Sequence, residues 1–335
     1  YDIRILNLSF SAPPQSHYWD DPLNQAVMAA WEVGILVVAS AGNTGPEPMS
    51  VGVPGNIPYV VTVGAMTDSQ TVDDPSDDRL TSFSANGPTH EGFVKPDLVA
   101  PGGHVLGLTP HWYNLAVDHN EARLMDQHDL FVMSGTSQAA AMVSGVAALI
   151  LQDDPSLSPD DVKCRLMASA QGARNADGSP RYGVLQQGAG LVNATAALTS
   201  EATGCANRGL DISKDLSGEA HYAGMVRQDA DGNFYFDSLD GQSMLWGDAM
   251  LWGDAMLWSD AMLWSDAMLW SDSMLWADAM LWSDAMLWSD AMLWSDAMLW
   301  SDAMLWSDAM LWSDAMLWSD SLVEAVSINV WVPQE

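Results

Sequence analysis

The sequence predicts an α/β domain on a parallel sheet flanked by helices over residues 1–200, followed by an all-β hexapeptide-repeat β-solenoid over residues 244–321. Strand-length apolar runs alternate with capped helical stretches in the first part. In the second, Trp recurs at every sixth position from Trp246 to Trp318.

The elements follow in order. Asp21-Pro22 supplies an N-cap and a first helical position, residues 26–31 an apolar face, and Gly34 a stop. Residues 35–39 (Ile-Leu-Val-Val-Ala) read as a strand buried on both faces, and residues 59–63 (Tyr-Val-Val-Thr-Val) as a second. Residues 139–151 are apolar on all sides and rich in small residues, which predicts a helix through the middle of a domain. Ser158-Pro159-Asp160-Asp161 starts another helix, with Ser158 as cap and Asp161 in the capping-box position. Residues 201–243 are polar, acidic and glycine-containing, as in a linker or small strand-bearing connector, and residues 322–335 read as a closing strand or cap.

Composition narrows the functional classes. With 48% hydrophobic residues in 335, a packed core is expected. The net charge of −33 repels phosphate backbones and anionic bilayers, so nucleic acid is not an expected partner. No run reaches the roughly 18 to 20 apolar residues of a membrane-spanning helix. The sequence starts without Met inside an apolar segment and shows no signal peptide, so a truncated N-terminus is expected. Cys164 and Cys205 suit one disulfide in a secreted protein, or are two unrelated thiols.

The chemistry concentrates at residues 133–140, Met-Ser-Gly-Thr-Ser-Gln-Ala-Ala, at the mouth of the expected buried helix. A serine there gains from the unpaired amides and partial positive charge of the helix N-terminus, which favour a developing oxyanion. Ser137 is the candidate nucleophile. Asn43, in Ala41-Gly42-Asn43-Thr44-Gly45, follows a buried strand, where open parallel sheets place their sites, and its amide can donate to an oxyanion. Taken alone, each motif reads first as an ordinary cap or turn.

Together the motifs resemble the subtilisin family of serine peptidases, in matching order along residues 3–198. Residues 5–11 (Ile-Leu-Asn-Leu-Ser-Phe-Ser) are similar to its substrate-pairing strand, and Ala41-Gly42-Asn43 to its oxyanion-hole loop. Thr81-Ser82-Phe83-Ser84 with Gly87-Pro88 resembles the turn that follows. Residues 95–102 (Lys-Pro-Asp-Leu-Val-Ala-Pro-Gly) and Ser134-Gly135-Thr136-Ser137 complete the series. The resemblance implies the C-terminal part of a three-layer, parallel-sheet catalytic domain. It implies that Ser137 attacks a peptide carbonyl while Asn43 and the Ser137 amide hold the oxyanion. Ser9, Phe10, Ser11, Ser40, Ala41 and Gly42 would bracket a protein or peptide substrate by main-chain pairing.

Gln138 stands where that family usually has Met, Ala141 where it usually has Pro, and residues 107–131 look like an insertion. The family's catalytic Asp and His motifs would precede residue 1. His17, His90, His104, His111, His119, His128 and His221 do not match the His motif, and none is assigned as base. The expectation is therefore a secreted endopeptidase whose present chain is inactive alone. The other readings are an extracellular structural or adhesive repeat protein and a peptide-binding pseudopeptidase.

In the tail, six residues at 100° each scatter equivalent positions over several faces of an α-helix, whereas six is a multiple of the strand period. Met-Leu-Trp strands with turns at Ser-Asp-Ala, or at Gly247-Asp248 and Gly253-Asp254, would wind into a solenoid. No Lys or Arg lies among the repeat aspartates, so calcium at Asp248, Asp254 and Asp260 is an expectation, against a simpler one of hydrated carboxylates. The peptidase portion requires no cofactor, and the tail would self-associate or bind a surface.

Overall fold

The computed structural model describes residues 3–67, 78–110, 112–119, 122–123, 130–175, 181–228 and 234–236, with short Met-Leu-Trp strands between 244 and 311. Strand β1 (Ile5–Leu8) leads through α1 (Pro22–Glu32) to β2 (Leu36–Ser40), β3 (Val61–Thr67), β4 (Arg79–Leu80) and β5 (Leu98–Pro101). The sheet runs β1-β2-β3-β5 in parallel, with Asn7 opposite Val38, Ser40 opposite Val63 and Val63 opposite Leu98. β4 adds an antiparallel partner to β3, so the sheet is mixed. The Asp21 carboxylate caps α1 by accepting from Leu23 and Asn24 N–H, with Pro22 in its first turn.

The second strand begins two residues later than residues 59–63 suggest. The carbonyls of Tyr59 and Val60 accept from buried lysines instead, Tyr59 from Lys163 and Val60 from Lys95. Pairing therefore starts at Val61.

A hairpin of β6 (Val105–Leu108) and β7 (Leu130–Met133), with α2 (Asn114–Asp118) between them, leads to α3 (Thr136–Asp153). Helix α3 packs on β1, β2, β3 and β5, burying Ala139, Ala140, Val143, Ala147 and Ile150 in the main core. It is not buried all round, as its composition led us to expect. Ala141, Gly145 and Ala148 are exposed on its opposite side, with Met142 at 40% and Leu149 at 47%. Among the described residues no element covers that face.

α4 (Pro159–Ala168) carries the full capping box between Ser158 and Asp161. α5 (Val184–Gln187), α6 (Ala194–Thr199) and α7 (Ile212–Ser217) follow, then a hairpin of β8 (Val226–Gln228) and β9 (Phe234–Phe236). The segment after residue 200 lies against the domain: Gly224 N–H donates to Glu91 O at 2.8 Å and Val226 N–H to Gly92 O at 2.9 Å. Cys164 and Cys205 are joined in a disulfide that ties α4 to this segment. In the repeat, each Met-Leu-Trp strand pairs in parallel with its equivalent three hexapeptides on, as Met250–Trp252 does with Met268–Trp270. The corner residues and residues 322–335 lie outside the described residues.

One buried charge cluster pins the sheet to α4. The Asp97 carboxylate lies 2.7 Å from Lys95 Nζ and 3.0 Å from Lys163 Nζ, and accepts from Thr62 N–H at 2.7 Å. Burial alone would raise Asp97, but the Lys163 and Lys95 ammonium groups hold it below the usual carboxylate range. Lys95 is pushed down to about 7, chiefly by burial, because Asp97 offsets only part of that cost and Lys163 adds repulsion. In the unfolded chain a lysine keeps its proton to about pH 10.4. Between those values the unfolded state binds the extra proton, so stability rises with pH across that window. Urea unfolding from pH ~7 to ~9 should show the midpoint climbing, and Lys95→Met, which leaves Asp97 paired one to one with Lys163, should flatten that climb.

Candidate active site

The surroundings of Ser137 are built by two strand ends and one helix start. β1 and β2 run parallel, so residues 9–11 and 41–45 leave the sheet at the same edge. The segment after β7 brings Ser134, Gly135 and Thr136 to the loop of Asn43. Gly135 N–H donates to Gly102 O at 2.7 Å, and Ser134 Oγ accepts from His104 N–H at 2.9 Å, which fixes the entry into α3.

Asn43, 3% exposed, joins the loop to the helix. Its Oδ1 accepts from both Thr136 N–H at 2.9 Å and Thr136 Oγ1 at 2.8 Å, while Thr136 Oγ1 accepts from Gly42 N–H at 3.3 Å. With its oxygen so held, the Asn43 amide nitrogen faces Gly135. A methyl group on Gly135 would stand 2.8 Å from Gln138 Oε1, 3.2 Å from Asn43 Nδ2 and 3.8 Å from Ser137 N. Both nitrogens therefore border one small space, which the Gln138 side-chain oxygen also enters, and the Ser137 N–H belongs to a first helical turn whose amides have no helical acceptor.

Ser137 is half-buried. Its hydroxyl donates to Ser9 O at 3.1 Å, and Ser9 Oγ donates to Ser137 O at 3.0 Å. Ser11 is buried beside Gly42 and Gly52, and Phe10 is 42% exposed. The backbone of residues 40–42 is not free to pair with a peptide as the sequence led us to expect. Ala41 N–H donates to Val63 O, Ala41 O accepts from Gly52 N–H, and Gly42 O accepts from Ala85 N–H. Ser40 turns inward, its hydroxyl donating to Phe10 O at 3.1 Å. These three residues form a wall, because the sheet and the 81–85 turn consume their polar groups.

That turn is itself a support. Ser84 Oγ accepts from Ala65 N–H at 3.0 Å, and Gly45 N–H donates to Phe83 O at 3.0 Å. Only glycine fits at position 45, where an added Cβ would fall 1.7 Å from Ser84 O.

Two histidines take carboxylate partners elsewhere: His17 meets Glu91 and His221 meets Asp215. His111, His128, Asp248, Asp254 and Asp260 lie outside the described residues. Among the described residues no group of three or more His, Cys, Asp or Glu is disposed to hold a metal ion, and no helix is long and apolar enough to cross a membrane. Sequence reasoning missed the orienting role of Thr136. Its signal was a hydroxyl residue at the first position of a buried helix, read there only as part of a motif.

The sequence profile described as the Subtilase family matches residues 1–193. Serine protease AprX of Bacillus subtilis is 42% identical over 163 residues, covering 48% of this chain and 36% of that protein. Subtilisin DY of Bacillus licheniformis is 32% identical over 197 residues, covering 58% and 57%. The solved structure of Prenylagaramide maturation protease PagA is 28% identical with a TM-score of 0.44, covering 58% of this chain and 61% of that one. The chain thus spans 36% of one of these curated relatives and 57% of the other. With more than half of its residues inside the family profile, and a Gly-Thr-Ser helix start facing an Asn loop, this chain belongs to the subtilase family of serine peptidases.

Proposed function

We propose that the chain carries the nucleophile half of a secreted serine endopeptidase, which cleaves peptide bonds through an acyl-enzyme on Ser137. The observation that carries this reading is that Asn43 Nδ2 and Ser137 N lie around one point at Gly135, and that the residue supplying the second nitrogen also carries a half-buried hydroxyl. In that arrangement Ser137 Oγ attacks the carbonyl carbon, and the two N–H donors take the negative charge that develops on its oxygen. The substrate strand would lie along Ser9, Phe10 and Ser11, with Ser40, Ala41 and Gly42 as a wall.

Within residues 1–335 no base is assigned to Ser137, whose proton rests on a carbonyl that cannot accept it chemically. The chain alone is accordingly expected to be nearly inert. The uncovered face of α3, and a β1 edge paired only with β2 among the described residues, support reading it as the C-terminal portion of a larger catalytic fold. The disulfide and the acidic surface support an extracellular setting. We read residues 1–200 as the peptidase portion, 201–243 as a connector and 244–321 as a β-solenoid with three hexapeptides per coil, closed by residues 322–335. The parallel register of equivalent strands supports the coil size.

A fluorophosphonate probe on the protein that includes its base should label Ser137, and Ser137→Ala should abolish labelling; equal labelling of both would refute the assignment. In the same protein Asn43→Ala should slow turnover about 100- to 1,000-fold with little change in KM. Thr136→Val keeps the shape but strips one donor from Asn43 and the acceptor from Gly42 N–H. It should cost about 1 to 3 kcal/mol in denaturant unfolding and lower kcat more than it raises KM.

A further inference from the structure

The residue after Ser137 has a side chain that the mechanism leaves unused. Gln138 is the third residue of α3, which begins at Thr136. A glutamine at that place ordinarily reaches back to accept from the N–H that precedes the helix, completing a capping box. Here it does not. The Gly135 N–H donates to Gly102 O at 2.7 Å, and the start of α3 has no side-chain cap.

The amide is poorly used instead. Gln138 Oε1 is buried without a hydrogen-bond partner, and Gln138 Nε2 lies 3.8 Å from the Met133 thioether, a weak acceptor. A buried amide end left unmet is costly, which points to a partner that arrives from outside. The place it occupies says what that partner is. Around the point where a Cβ on Gly135 would stand, Gln138 Oε1 is at 2.8 Å, Asn43 Nδ2 at 3.2 Å and Ser137 N at 3.8 Å. The Gln138 side chain thus ends in the space that those two nitrogens border.

A carboxamide turned by half a rotation about its last torsion presents its NH2 group in place of its oxygen, in nearly the same volume. With Gln138 turned so, three nitrogens border one small space. An oxygen carrying negative charge is the partner that satisfies all of them.

We propose that Gln138 is a further catalytic residue, whose side-chain amide turns an N–H toward the oxyanion formed when Ser137 attacks and stabilises it beside Asn43 and the Ser137 N–H. This rests on the reading of Ser137 as nucleophile. In the free protein the oxygen end points inward, and the amide turns as charge develops on the carbonyl oxygen. The donor therefore acts on the transition state more than on bound substrate, and its loss falls on kcat rather than on KM.

The test uses the protein that includes its base. End-point titration with a fluorophosphonate counts the reactive Ser137 sites, and a peptide anilide gives turnover per site, so molecules that fail to fold are not counted. Gln138→Met fills a similar volume without a donor and should lower kcat about 100-fold, with KM within about threefold. Gln138→Glu keeps the length and shape, but its carboxylate repels the oxyanion. It should be slower still at about pH 8, and its kcat relative to wild type should rise as the pH falls to about 5, where part of the carboxyl groups carry a proton and can donate. The loss in the Met variant reports the donor; the pH dependence of the Glu ratio reports that the group at position 138 faces the developing charge. Absence of labelling in the wild type would sink the reading of Ser137 itself. Normal labelling with an unchanged kcat in Gln138→Met, a loss carried by KM alone, or a Glu ratio that stays flat with pH would overturn the role of Gln138.

Discussion

The site rests on one side-chain oxygen. Asn43 Oδ1 receives both the first backbone N–H of α3 and the Thr136 hydroxyl, and so welds the loop after β2 to the start of the helix. An amide has one acceptor end and one donor end. Fixing the oxygen on Thr136 therefore dictates that the nitrogen faces the space before Gly135. The same bonds satisfy a helix-start amide that would otherwise be buried without a partner. Stability and site geometry are served by a single contact.

Around that contact the domain uses buried polar groups as spacers. Asp97 binds two lysines and the Thr62 amide, and the lysines in turn take the carbonyls of residues 58–60, which ends strand pairing at Val61. Two cations share one carboxylate, so burial of the cluster is only partly compensated. Asp215 does the same work at the far side with two phenols and an imidazole, and holds α7 and the following segment against the body. The hydrophobic core formed by Val37, Val38, Val61, Val63, Val143 and Ile150 supplies cohesion, while these polar nodes decide which segments adjoin.

Much of the fold was legible because it is written in local terms. The Asp21-Pro22 cap, the Ser158 capping box and the apolar runs of β2 and β3 depend on neighbours within a few residues. What the sequence could not convey was the environment of an element. Helix α3 is apolar on every side, yet Met142 and Leu149 are exposed, because burial depends on what packs there and not on the helix alone. Likewise residues 40–42 read as a substrate edge, and only long-range bonds to Val63, Gly52 and Ala85 show their backbone to be spent.

By itself, then, the sequence determined the order of motifs, the place of Ser137 at a helix start, the place of Asn43 in a strand-end loop and the hexapeptide period. These are properties of spacing and local backbone preference. Only the tertiary structure decided that Thr136 orients Asn43, that Lys95 and Lys163 converge on Asp97, and that the rings of His17 and His221 both stack on Trp19. Each of those joins residues distant along the chain. Directional hydrogen bonds and ring stacking are set by orientation across space, which no local periodicity encodes.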